Sequence, residues 1–169
     1  DGHLALGGTY VTDLGDSAVT IGFGISETEG STNGTSPSTE EGGIHIGVSA
    51  VTGYLTVALG FADGDNMGAT TAGSPDRELD SEVLKAGLKY VSGDLTFNVG
   101  VASGTTKDGA FGTPGTTEDS QDVTSASVSY AVASGVTAIL GYTTVDSANA
   151  GSNDDTDGSA WYIGANMSF

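Results

Sequence analysis

All 22 acidic residues of this 169-residue chain fall outside nine stretches that share one pattern. The stretches are 3–12, 18–26, 43–52, 54–62, 83–91, 95–102, 123–133, 136–145 and 160–169. Within them large apolar residues recur at every second position, the period of a β-strand. Val19, Ile21, Phe23 and Ile25 alternate with Thr20, Gly22, Gly24 and Ser26. Leu55, Val57, Leu59 and Phe61 alternate with Thr56, Ala58, Gly60 and Ala62. The last stretch sets Trp161, Ile163, Ala165, Met167 and Phe169 against Tyr162, Gly164, Asn166 and Ser168. No stretch carries the helical period, so the chain reads as all-β in a single domain over 1–169.

The face opposite the bulky residues constrains the fold further. It is Gly, Ala, Ser, Thr and Asn with almost no long charged side chain, whereas the wet face of a soluble sandwich carries Lys, Glu and Arg. The opposite orientation accounts for it: bulky residues meet lipid and small polar ones line a wide, wet interior. A charge on the lipid face at mid-membrane costs about 2–4 kcal/mol, which would clear that face of acids. We therefore expect a transmembrane antiparallel β-barrel in the bacterial outer membrane, with lipid as its first partner.

The connections follow the same scheme. Asp13–Ser17, Thr52–Gly53, Ser92–Asp94 and Ser134–Gly135 read as tight turns. Glu27–Gly42, Ala62–Glu82, Ser103–Asp122 and Asp146–Ser159 read as long loops that hold most of the acids. Outer-membrane barrels have short periplasmic turns and long outer loops. With the long loops outside, Tyr10, Tyr90, Tyr130 and Phe169 fall at periplasmic ends, and Tyr142 and Trp161 toward the outer ends. These are the two interfacial belts that amphipathic rings prefer.

The acid-free alternating strands, the Gly-rich acidic loops and the ending from Trp161 to Phe169 together resemble a Gram-negative general diffusion porin, of the Rhodobacter type of α-proteobacteria. Nine strands is an odd number, while bacterial single-chain barrels are even. The resemblance thus implies the C-terminal nine or so strands of a 16-stranded porin, with Asp1 as a processed or internal start. An eight-stranded barrel preceded by a leader is the lesser alternative. The resemblance implies a water-filled channel for passive diffusion of small hydrophilic solutes and ions, no enzymatic activity and a homotrimer. The competing reading is a secreted, acidic, Gly-rich adhesin or fibre protein that binds calcium. Such a protein would show a short internal repeat, and none is present.

Charge and motifs narrow the chemistry. With 4 Lys plus Arg the net charge is −18, which repels phosphates and argues against nucleic acid. There is no Cys, hence no disulfide or thiolate metal site. No G-x-S-x-G, phosphate-loop or H-E-x-x-H motif occurs. His45, Lys85, Lys89, Asn98, Tyr162 and Asn166 fall on the small-residue face and are the expected pore-lining residues. The acidic loops suggest weak cation preference. No cofactor is required, but Asn153, Asp155, Asp157 and Gly158 echo the start of a calcium loop that lacks its final Glu. Asp154, Asp155 and Asp157 are the candidate Ca2+ ligands.

Overall fold

The computed structural model describes residues 2–28, 41–65, 77–110, 113–149 and 155–168. They form nine strands: β1 His3–Leu14, β2 Ser17–Thr28, β3 Glu41–Thr52, β4 Leu55–Asp65, β5 Arg77–Ser92, β6 Leu95–Ala110, β7 Thr113–Ala133, β8 Val136–Ala148 and β9 Thr156–Met167. The strands make one sheet in chain order, each antiparallel to the next, with β1 and β9 at its edges. Every step in this order is a hairpin, the shortest route between antiparallel neighbours. No helix among the described residues is long and apolar enough to cross a membrane.

The short turns use backbone freedom that only glycine supplies cheaply. Gly15, Gly53 and Gly93 have φ near +60° as the first residue after each strand, and Gly135 has φ 76°. A glycine at that first turn position suits the two-residue turns whose twist matches the strands. The turns are also tied sideways. Val91 N–H donates to the Tyr54 carbonyl, Ala131 N–H to Asp94 and Ser168 N–H to Gly135, each at 2.9 Å. The short-turn rim is therefore hydrogen-bonded from β4 through β9.

Several expected boundaries move. The described part of the segment 103–122 is strand: β6 and β7 continue pairing past Lys107↔Glu118 to Ala110↔Thr113, with one register shift. Likewise β5 begins at Arg77, well before the expected 83. The charges in these extensions mark where the acid-free band stops, not where pairing stops, since a backbone ladder is indifferent to which solvent its side chains meet.

A folded soluble domain buries its large apolar groups. Here, among the described residues, none is buried. Ile21, Val57, Val99 and Ile163 keep 37%, 42%, 49% and 87% of their surface. The described residues make one layer with no dry interior between layers, so nothing among them covers the apolar face.

Candidate functional site

The site is the pair of faces. Residues opposite each other in an antiparallel ladder share a face, so the register assigns every side chain. Ile21, Val48, Leu59, Ala86 and Val101 form one continuous row on the bulky face. The next row runs from Val19 through Ala50, Val57, Leu88, Val99, Ala126 and Tyr142 to Trp161. Val19 is the lower edge of the apolar segment of β2, nearest the short turn, whereas Trp161 is the upper edge in β9. On the other side of the Ile21 row, the row with Phe23, Ile46, Phe61 and Leu84 runs on into Ser103, Asp122, Asp146 and Asp157. The apolar band thus slides along the ladder by about one residue per strand. With about 3.3 Å rise per residue and about 4.8 Å between strands, that slide tilts the strands by about 35°. Transmembrane barrel strands tilt by about 35–45°.

Five of the aromatic residues share the bulky face. Tyr10 lies opposite Ile21, Tyr90 opposite Leu55 and Phe97, and Tyr130 opposite Leu95 and Ala138. Tyr142 and Trp161 are direct neighbours with ring centroids 4.5 Å apart and planes at 42°. Their tilted contact is a favourable cross-strand pair near the apolar band's upper limit. Phe169 lies outside the described residues. Tyr54, an aromatic residue that the alternation does not single out, sits in the second short turn, 70% exposed. Its signal was an aromatic residue beside a turn glycine.

All six residues expected on the wet face are on one face, opposite the bulky one. Lys89, Asn98 and Tyr162 even share a row, through Ser127 and Gly141. Lys85 lies between Gly60 and Ala102, and His45 between Gly24 and Ala62. Asn166 pairs with Thr137 near the short-turn end. Asn98 Nδ2 donates to Ser127 Oγ at 3.3 Å, and Gln121 Nε2 to Ser147 Oγ at 3.2 Å. Two rings occupy the space over glycines of the neighbouring strand: a Cβ at Gly24 would run into the His45 imidazole, and one at Gly141 into the Tyr162 ring. Glycine here is cross-strand packing space, a role that alternation alone does not reveal. His3 Nδ1 hydrogen-bonds Thr28 Oγ1 at 2.8 Å, far along the chain from His45.

The candidate calcium ligands divide. Asp154 lies outside the described residues. Asp155 Oδ1 accepts a hydrogen bond from Asn149 N–H at 3.3 Å. Asp157 stands opposite Asp146 in β8. Among the described residues no three His, Asp or Glu side chains come together as a metal site.

No protein-family model and no curated protein matches the chain. Solved structures do, among them three of one protein. One is outer-membrane expressed OmpT of Vibrio cholerae, at 16% identity and TM-score 0.63, covering 98% of this chain and 56% of that one. The second is in-vitro folded OmpT of the same organism in its trimer form, at 15% identity and TM-score 0.60, covering 94% and 54%. The third is a loop L8 deletion mutant of OmpT, at 16% identity and TM-score 0.62, covering 94% and 51%. The chain therefore spans about half the length of the structures it matches.

These matches replace the family assignment with a coarser one. These three are described as an outer membrane protein of Vibrio cholerae, and none of the three is described as a Rhodobacter-type general diffusion porin. The assignment to that family does not stand, nor do the passive cation-preferring channel and the calcium-binding adhesin inferred beside it. The expectation that the chain is no enzyme falls with them. At 15–16% identity the likeness carries the fold and transfers no activity, neither transport nor a reaction such as peptide hydrolysis. What the register, the exposure and the matches agree on is the architecture: an all-β chain with the fold of a bacterial outer-membrane β-barrel protein.

Proposed function

We propose that this chain forms an arc of an outer-membrane barrel wall, with the bulky face against lipid and the small-residue face against a hydrated interior. The observation that carries the reading is the slide of the apolar band. A sheet packed on a second layer has no reason to move its apolar segment along successive strands. A tilted barrel wall has, because the hydrocarbon stays level while the ladder climbs. Nine strands over about half the length of the matched structures fit a closed barrel of about sixteen strands, wide enough to leave its interior wet. The homotrimer belongs to the same proposal; the matched OmpT in trimer form supports it. On this reading His45, Lys85, Lys89, Asn98, Tyr162 and Asn166 are wetted from inside.

Trp161, the single Trp of this sequence, tests the orientation once any Trp elsewhere in the barrel is replaced by Phe. It is 73% exposed on the bulky face. In vesicles of lipid brominated along the acyl chain, Trp161 fluorescence is quenched strongly, and water-soluble iodide quenches it little. Strong iodide quenching with no effect of bromine would place this face in water and end the proposal. A second outcome concerns packing on the wet face. Gly141→Val should displace the Tyr162 ring and cost about 1–2 kcal/mol, a typical small overpacking cost. Denaturant titration of the refolded protein checks it, and the companion Tyr162→Ala in the same protein should recover most of the loss.

A further inference from the structure

Toward the long connections the small-residue face sinks into a pocket of about 400 Å³ that spans β5 to β9. Two neighbouring ladder rows build it. One sets Ser81, Thr106 and Asp119 side by side. The other runs Val83, Gly104, Gln121, Ser147 and Thr156. Every second residue of β5 from Ser81 is Val83 and then Lys85, so both rows belong to the face opposite the bulky one. Gly104 and Val83 make a small C–H floor: a Cβ added at Gly104 would stand in ordinary contact, 3.5 Å from Val83 Cγ2. Around that floor stand hydroxyls, an amide and one carboxylate. Gln121 Nε2 donates to Ser147 Oγ at 3.2 Å. Among the described residues, Gln121 Oε1 and the half-buried hydroxyls of Ser81 and Thr106 make no hydrogen bond.

This lining selects among ligands. No Lys or Arg is part of it, so an anion would meet the Asp119 carboxylate with nothing to compensate the repulsion. No three His, Asp or Glu side chains converge on a metal ion among the described residues. An apolar guest would cover the hydroxyls and the amide and leave them unpaired. A sugar suits both parts of the pocket: its hydroxyls exchange hydrogen bonds with the rim, and its C–H face lies on Gly104 and Val83. The volume is within the range of about 300–1,000 Å³ of small-molecule sites. We propose that this pocket binds a neutral saccharide of one or two rings, free in solution because lipid lies behind the sheet. The proposal rests on the small-residue face being the wet one and deepens that reading, giving one part of the wall a ligand.

The test uses the purified full-length protein in phosphatidylcholine nanodiscs free of sugar-headed detergent. Saturation-transfer NMR follows sucrose as the neutral probe and glucuronate as the anionic one. Sucrose should bind saturably, and glucuronate at least about tenfold more weakly. Ser81→Ala combined with Thr106→Val is nearly isosteric and removes two hydroxyls. It should weaken sucrose binding about tenfold, the effect of two lost neutral hydrogen bonds. Gly104→Val raises the floor and should abolish binding. Ser129→Ala, which removes a hydroxyl of the same face near the short-turn end of β7, should leave it unchanged. No saturable binding of sucrose, glucuronate bound as tightly as sucrose, or sucrose affinity unchanged in both pocket variants overturns the proposal. Bromolipid quenching of Trp161 keeps two failures apart. Quenching retained while sucrose does not bind strikes the pocket alone; quenching lost strikes the wet face itself.

Discussion

Val57→Arg lowers the stability of the protein refolded into lipid vesicles by about 2–4 kcal/mol, whereas Ala58→Arg, one residue on, changes it by about 0.5 kcal/mol. The two positions are neighbours in β4 and differ only in face. Val57 lies between Ala50 and Leu88 in the middle of the apolar band, and Ala58 lies between Ser49 and Gly87 on the small-residue face. A guanidinium at Val57 has hydrocarbon around it and must reach for the interface; one at Ala58 has water. The effect inverts if the sheet is half of a soluble sandwich, because the small-residue face would then be packed. Urea titration in vesicles reads both variants. Equal costs at the two positions would remove the lipid from the account of this sheet.

The second large effect is at a turn. Gly135→Ala should cost about 2–4 kcal/mol, while Gly15→Ala, Gly53→Ala and Gly93→Ala should each cost about 1–2 kcal/mol. All four glycines have positive φ, so each alanine pays for a left-handed backbone. At Gly15, Gly53 and Gly93 an added Cβ meets nothing within 4 Å. At Gly135 it would come within 2.5 Å of the Ser168 carbonyl oxygen, which is backbone and cannot swing aside. The Ser168 N–H donates to the Gly135 carbonyl at 2.9 Å, so relieving the clash also strains the bond that ties the end of β9 to the turn. Thermal midpoints of the four single variants order them. A Gly135→Ala variant no worse than Gly53→Ala would show that the end of β9 moves away freely.

Several parts of this architecture were legible from residue order because they are set locally. Alternation through Val19–Ile25 and Trp161–Met167 places each residue on a face with a period of two, independent of any partner strand. The four turn glycines follow from the φ their positions demand. The register sets His45, Lys85, Lys89, Asn98, Tyr162 and Asn166 on one face and Tyr10, Tyr90, Tyr130, Tyr142 and Trp161 on the other for the same reason. The strand ends beside the long connections did not, since charges such as Asp80, Lys107 and Glu118 end a hydrophobic pattern without ending a hydrogen-bonded ladder. The family reading asked more of a resemblance than alternating strands and a terminal segment can carry, and activity does not follow from a wall.

By itself, then, the chain determined that it would be strands with one greasy and one small-residue face, because side-chain direction along an extended backbone is a property of neighbours in sequence. Which residues meet across strands is a property of register, and register is non-local. Only the assembled sheet places Trp161 level with Val19 in the ladder, sets Asp63 against Glu82, lays the Tyr162 ring over Gly141 and turns a run of separate apolar segments into one tilted band.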